Sequence, residues 1–389
     1  MTTTQRVGVW FHGARGSVAT TAICGLLALR AGLTAPTGVV TEQLGLPDGV
    51  LPGWDDLVLG GQDVSTVPLR KRAAQLTDDG VLPARLLAAL ESQLDEVEPW
   101  IVHGYRPTGP DESILDGVRR TAAAITEFRQ ANGLERVVVV NVSSTEPIFP
   151  ARPEHDDLAR LRAAIEQPGD EVLPPSSVVA YAAITAGCGY VDFTPSAGIR
   201  LPALRAYAAL RGVPYAGSDG KTGETLLRTV LAPMFAERAF AVRSWAGTNL
   251  LGGGDGANLA DPERAGGKLE SKRRGLAALL GPGVTAPLHI DNVPDLGEQK
   301  IAWDHVSFEG FLGSRMSLQF TWTGCDSALA APLVLDLARL TLAAQRAGQA
   351  GALTALAAFF KDPLGADEHR FAEQMRHLRE WAGELGAGR

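Results

Sequence analysis

The sequence predicts an α/β protein built on a doubly wound parallel sheet, with a second, smaller α+β unit inserted late in the chain. Three observations predict it. Strand-length apolar runs alternate with Ala- and Leu-rich helical stretches as far as about residue 235. The run Arg136 to Val142 is nearly continuous valine, as in strands covered on both faces. A glycine turn joins the first strand to the first helix. With 389 residues, 45% hydrophobic and 21% charged, the protein has enough apolar surface for two domains that need no staples.

Val7 to Phe11 is a short apolar strand, His12 to Ser17 a glycine turn, and Val18 to Arg30 a helix. Thr37 to Thr41 is β-branched and predicts the second strand, closed by Glu42. Helices are expected over residues 82–98 and 112–131. The valine strand follows, ending in the polar loop Asn141-Val142-Ser143-Ser144-Thr145-Glu146-Pro147. Ser176 to Gly187 predicts a helix, Tyr190 to Phe193 a strand and Ala203 to Arg211 a helix.

Later, Phe240 to Asn249, Pro287 to Asn292 and Phe308 to Trp322 predict strands of a sheet with one solvated face, with a basic helix near Lys268 to Leu280 between them. Residues 328–347 and 352–360 return to helix and should pack back on the first unit. The expected division is residues 1–238 and 326–389 for the domain of the parallel sheet and 239–325 for the second, mixed domain.

Composition excludes several classes. The net charge of −8 is spread along the sequence without a basic run, so no nucleic-acid partner is expected. The apolar stretch Ala328 to Ala344 is interrupted by Asp336 and Arg339, and the N-terminus has no signal-peptide pattern; no membrane partner and a cytoplasmic location are expected. Cys24, Cys188 and Cys325 have neither CxxC spacing nor a paired His, which predicts neither disulfide nor zinc.

Of 36 basic residues only six are lysine, leaving thirty arginines. Arginine cannot release a proton near neutrality, so positions kept as lysine are candidates for sites that need a titratable or compact cation. Five of the six, Lys221, Lys268, Lys272, Lys300 and Lys361, lie in the second half.

Gly13-Ala14-Arg15-Gly16 opens a helix, where free backbone amides and the helix dipole suit a pyrophosphate. Such a turn is equally an ordinary strand-to-helix connection. Glu42, some 26 residues beyond Gly16, and the polar loop at Asn141 to Glu146 favour dinucleotide binding in a Rossmann-type sheet. A carboxylate there would accept from ribose hydroxyls and repel a 2′-phosphate, so NAD is expected over NADP; Glu42 could equally be a solvated loop acid. Gly217-Ser218-Asp219-Gly220-Lys221-Thr222-Gly223-Glu224-Thr225 departs from the Walker pattern but offers hydroxyls and amides at a helix start, suited to a phosphate monoester or to simple capping. Lys268 and Lys272 share a helix face if helical, and an anion would relieve their repulsion; the alternative is two solvated surface lysines.

At these residues the sequence resembles the myo-inositol-1-phosphate synthase family, particularly its shorter archaeal and bacterial branch. The matching segments, in family order over about residues 6–363, are VWFHGARGSVATT, NVSSTEP, FTPS, GSDGKTGETLLRTVLAPMFA, NLLGGGDG, KLESK, EQKIAWDHVSFEGFLG, CDSALAAPL and AFFKDP.

The resemblance implies an isomerase that oxidises C5 of acyclic D-glucose 6-phosphate with NAD, enolises it, closes the ring onto C1 and reduces the ketone, releasing 1L-myo-inositol 1-phosphate. It implies catalytic roles for Lys268, Lys272, Lys300, Lys361, Asp219, Asn249 and Asp326. Lys268 would shuttle protons at the aldehyde and alkoxide oxygens, and Lys361 would handle the C5 hydroxyl proton. Substrate phosphate would be held by Lys272 and Lys300 with Lys221, Thr222, Gly223, Glu224 and Thr225. NAD would contact Gly13, Ala14, Arg15, Gly16, Ser17 and Val18, then Glu42 and Asp63. It would also meet Asn141, Ser143, Ser144 and Thr145, and Thr194, Pro195 and Asp219.

Two departures bear on a cation. Gly253 and Gly254 replace polar or acidic residues of relatives in a loop that helps hold a metal in metal-dependent members, leaving Asp255 as the candidate ligand; Glu298 stands where Asp is common. The alternative these glycines raise is a paralogue that cyclises another sugar phosphate or yields another isomer. The resemblance also implies a homotetramer joined through the second domain's sheet.

Overall fold

The computed structural model of the protein covers residues 6–106, 111–253 and 276–387. β1 (Val7–His12) is buried along its whole length and leads into α1 (Ser17–Arg30). Then come β2 (Leu57–Asp63), α2 (Leu69–Asp78), α3 (Ala84–Val97), β3 (Ile101–His103), α4 (Ile114–Ala131) and β4 (Val137–Asn141). They are followed by α5 (Leu158–Ile165), α6 (Pro175–Thr185), β5 (Gly189–Asp192), α7 (Pro202–Arg211), β6 (Pro214–Gly217) and α8 (Glu224–Glu237). A second sheet holds β7 (Ala241–Leu251), β8 (Leu288–Asn292), β9 (Gln299–Glu309) and β10 (Arg315–Cys325). The backbone then returns as α9 (Asp326–Arg346), β11 (Gly351–Ala352) and α10 (Phe371–Ala387).

The first sheet has the order β11-β6-β5-β4-β1-β2-β3 and every pairing is parallel. Strand order reverses between β1 and β4, so connections leave in opposite directions there and a crevice opens at their carboxyl ends. Apolar clusters cover both faces. α1 and α9 pack with Val9, Phe11 and Val140 on one side; α4, α6 and α7 pack with Trp10, Val139 and Tyr190 on the other. This two-sided burial is why β4 is all valine until Asn141.

The second sheet has the order β10-β9-β7-β8 and is mixed, with β7 antiparallel to β9 but parallel to β8. Its period of two puts Asn249, Ala302 and Trp322 in register on the face toward α8, and Thr248, Trp303 and Thr321 on the other. Phe235 of α8 meets Trp245 of β7 edge-on at 6.2 Å under the first face. A buried network stitches helix to sheet there: Arg228 contacts Glu224 at 2.6 Å and Asp304 at 2.8 Å, and Trp245 Nε1 donates to Asp304 at 2.8 Å.

The structure corrects several expectations. Residues 37–41 are not a strand: Val40–Gln43 is a short 3₁₀ turn, because Asp336 of α9 accepts from Val40 N (2.7 Å), Thr41 N (2.9 Å) and Thr41 Oγ1 (2.6 Å). The second parallel strand is β2, beginning only at Leu57, whose Gly60-Gly61 core makes a weak strand signal. Phe308 to Trp322 is not one strand but the end of β9, a turn at Phe311–Gly313 and most of β10. Residues 352–360 form a 3₁₀ helix, Thr354–Phe359, rather than an α-helix. Of the basic helix, only Leu276 to Leu280 falls within the described residues, and it is helical.

α9 is long and apolar enough to cross a bilayer by composition, yet 78% of that window is buried against the protein. Its Asp336 and Arg339, which interrupt the apolar run, are both buried in the contact with residues 40–54.

Candidate active site

A cavity of about 710 Å³ opens at the carboxyl ends of the parallel strands, at the β1/β4 reversal. Its floor is the glycine turn after β1. Gly13 has φ +89°, and a Cβ on it would fall 2.7 Å from Ser143 Cα, so only glycine lets the two loops approach this closely. α1 begins after Gly16 with no side-chain cap and no acidic residue in its first turn, leaving its leading amides free for an anion. These features fit a dinucleotide pyrophosphate.

Asp63, at the end of β2, lines the cavity and accepts from the backbone amides of Arg15 and Ser65, both at 2.7 Å. It occupies the place where such sheets carry their ribose acid. Glu42 does not. It lies outside the cavity lining, paired with Arg339 at 2.7 Å, because the segment expected to be the second strand is tied to α9 instead.

Opposite, Ser143, Ser144 and Thr145 after β4 and Thr194 and Pro195 after β5 form the wall. Asn141 sits beneath it, fully buried: its Nδ2 donates to Asp192 (3.0 Å), and its Oδ1 accepts from Ser143 Oγ (2.7 Å). It is a positioning residue for the wall rather than part of it. Burial pushes the Asp192 carboxyl up to about 6, against the pull of Asn141 and the Ile199 amide. Burial also takes His12, at the cavity edge, down to about 4, so its ring is neutral at physiological pH. Ala14 is buried beneath the turn and does not line the cavity.

The chemical end of the cavity is built from segment 217–221, which pairs antiparallel with 359–364. Lys361 N donates to Asp219 O (2.7 Å), Lys221 N to Phe359 O (2.8 Å), and Gly220 bridges Phe360. This pairing presents Lys361 Nζ to Asp219 Oδ1 at 2.7 Å, inside the cavity and nearly buried. From the second sheet, Lys300 Nζ contacts Asp326 Oδ2 at 3.0 Å, and Thr222 Oγ1 donates to Asp326 Oδ1 at 3.1 Å. Asp326, the first residue of α9, lines the cavity along with Thr222. Lys361 thus lines the cleft itself, while Lys300, 61 positions earlier, stands behind Asp326, and each lysine is paired with a carboxylate that lines it.

Gly223 caps α8, and a Cβ there would fall 2.8 Å from Trp322 Nε1, so the second sheet closes directly on this helix start. Thr225 Oγ1, Ser327 Oγ, Asp219 Oδ2 and both polar atoms of the Asn249 amide are buried without a hydrogen-bond partner among the described residues. Unsatisfied buried polar atoms cost about 1–3 kcal/mol each, and two of these residues, Asp219 and Ser327, line the cavity, which fits a polar ligand there.

Other expected site residues fare differently. Glu224 is buried against Arg228 and does not face the cavity. Lys221 turns away from it: 3% exposed, its Nζ donates to Gln374 of α10 at 2.6 Å. Lys268, Lys272 and Asp255 lie outside the described residues. Among the described residues no cluster of three His, Cys, Asp or Glu could hold a metal, and Glu298 is engaged by Ser17 Oγ (2.8 Å) and Arg72 (3.1 Å). Arg72 of α2 lines the cavity beside the start of α1, which sequence reasoning missed because nothing near it marks a ligand.

The comparisons with known proteins agree with this geometry. The model of a family described as Myo-inositol-1-phosphate synthase, an NAD-binding family, matches residues 7–382. Inositol-3-phosphate synthase 1 of Bacteroides thetaiotaomicron is 34% identical, covering 94% of this chain and 91% of the relative. The Rattus norvegicus protein of the same name is 31% identical over 88% of this chain and 69% of its own. An inositol-3-phosphate synthase structure from Caenorhabditis elegans superposes with a TM-score of 0.84 at 23% identity, covering 98% of this chain and 86% of that one. A myo-inositol-1-phosphate synthase-related protein from Thermotoga maritima gives 0.75, also at 23% identity, over 97% and 98%.

Proposed function

Because the protein belongs to the myo-inositol-1-phosphate synthase family, we propose that it is an NAD-dependent isomerase converting D-glucose 6-phosphate to 1L-myo-inositol 1-phosphate. The observation that carries this reading is the convergence of Lys361–Asp219 and of Asp326–Thr222, backed by Lys300, on the cleft over the glycine turn.

NAD, when bound over Gly13, Gly16 and Asp63, supplies a hydride acceptor at substrate C5 and later the donor that restores the alcohol. The protein's own residues do the rest. Lys361, aligned by Asp219, exchanges the proton of the C5 hydroxyl. The resulting ketone acidifies C6; loss of a C6 proton gives an enolate, whose C6 forms a bond to C1 while the aldehyde oxygen takes up a proton. Positive charge from the lysine set offsets the enolate and alkoxide as they form. Lys300, Thr222 and the amides at Gly223 and Thr225 hold the phosphate. Lys268 and Lys272 join by family match, Lys268 at the aldehyde oxygen and Lys272 at the phosphate. No step here is assigned to a cation.

Purified protein given NAD and glucose 6-phosphate should release inositol phosphate with no net NADH, and NADP should not replace NAD, since Asp63 repels a 2′-phosphate. Stoichiometric NADH accumulation, or turnover of only another hexose phosphate, would overturn the reading.

The division of labour is residues 1–238 and 326–389 for nucleotide and 239–325 for catalysis and assembly. Assembly as a cytoplasmic homotetramer through the second sheet is supported by its outer face, where Trp303 is 40% exposed beside Thr248 and Thr321. Light scattering should return four subunits; a monomer mass at micromolar concentration would exclude it.

A further inference from the structure

The glycine turn and the start of α1 are not the only anion-binding features at the nucleotide end of the cavity. Arg72, in the first turn of α2, lines the cavity there: its Nη2 donates to Ser17 Oγ at 2.6 Å and its Nη1 to Gln75 Oε1 at 3.1 Å. The same Nη2 reaches Glu298 Oε1 at 3.1 Å, and Ser17 Oγ donates to that oxygen at 2.8 Å. The hydroxyl that opens α1 and the guanidinium of α2 therefore converge on one acidic oxygen, which comes from the residue just before β9 of the second sheet.

The charges around the turn call for such a cation. A dinucleotide pyrophosphate carries a negative charge on each phosphate, whereas a helix start supplies only about half a positive charge. Asp63 adds a carboxylate at the end of β2. Arg15, in the glycine turn itself, is paired with Glu98, whose other oxygen accepts from Leu69 N at 2.6 Å. Arg72 is held differently. Of the five N–H donors of its guanidinium, three go to Ser17, Glu298 and Gln75 among the described residues, which leaves two to face a ligand.

Resting on the NAD-dependent reading, we propose that Arg72 belongs to the nucleotide site and binds the cofactor's pyrophosphate. Its guanidinium grips phosphate oxygens beside the free amides of α1, while Glu298 and Ser17 fix its orientation. Arginine suits the position because one rigid, planar fork can keep its protein partners and still address a phosphate, which a lysine ammonium does only as a point charge.

The test is the dissociation constant of the full-length protein for NAD, ADP-ribose and adenosine, in wild type, Arg72→Met, Arg72→Gln and Arg72→Lys. Both neutral variants should weaken NAD and ADP-ribose, which carry the pyrophosphate, by about tenfold or more, and change adenosine, which lacks it, by less than about twofold. Arg72→Lys should fall between them and wild type. Should one neutral variant fail to fold, the other carries the same prediction. Equal weakening of all three ligands would make Arg72 a structural tie between α2 and the second sheet and overturn the proposal. Unchanged affinity for ADP-ribose with a raised KM for glucose 6-phosphate would also overturn it, by giving the guanidinium to the substrate phosphate. A wild type that binds ADP-ribose through Arg72 yet forms no inositol phosphate would sink the cyclase reading alone, and one that binds neither NAD nor ADP-ribose would sink both.

Discussion

Lys361→Met lowers kcat by about 10²–10⁴-fold, the range for losing a positioned acid–base group, while NAD binding followed by fluorescence stays within a fewfold of wild type. The split follows from where Lys361 sits. Its ammonium bonds Asp219 at the chemical end of the cavity, whereas the glycine turn and Asp63 that would hold the nucleotide belong to β1 and β2. Removing the amine also leaves Asp219 buried without its cation, so some stability is lost along with activity. Asp219→Asn should give a smaller loss, since an amide oxygen can still accept from the amine and orient it. Equal turnover in Lys361→Met and wild type would remove this lysine from the chemistry.

Asp304→Ala destabilises the protein by about 3 kcal/mol, read as a lower urea midpoint, with loss of activity following from loss of structure. Asp304 is fully buried and receives both Arg228 and Trp245 Nε1. Without it Arg228 Nη2 keeps Glu224, but the indole donor and one N–H of that same nitrogen lose their acceptor between α8 and the second sheet. Burial, then Glu224, raises the Asp304 carboxyl above its ordinary value against the pull of Arg228, so the three groups act as a unit. Asp304→Asn keeps an acceptor for Trp245 and should cost less. A midpoint unchanged in Asp304→Ala would mean that the helix and sheet are held by apolar packing alone.

Local signals were sufficient wherever one residue type had to sit at one backbone position. The glycine turn, the valine strand and the Asn141 loop were legible because two-sided burial and close backbone approach leave few alternatives. The same local reasoning failed for the second strand. Glu42 and Asp63 both follow β-branched or apolar runs, and only the grip of Asp336 on Val40 and Thr41 makes the first of these runs a turn. That contact spans nearly 300 residues, beyond any spacing argument. The hairpin at Phe311–Gly313 was hidden for a related reason: its tip is apolar, with Leu312 at φ +60°, and carries none of the usual polar turn residues beyond glycine.

The sequence by itself determined the α/β class, the nucleotide turn, the family and the idea that scarce lysines mark chemistry, because composition and local backbone demands are properties of short segments. Only the tertiary structure decided where each lysine points. Lys221 and Lys361 are equally lysine in the sequence. The antiparallel pairing of 217–221 with 359–364 sends one amine into the cleft toward Asp219 and the other to Gln374 of a C-terminal helix that no motif marks. Which side of a paired segment a residue faces depends on its distant partner, and the partner is fixed only when the protein folds.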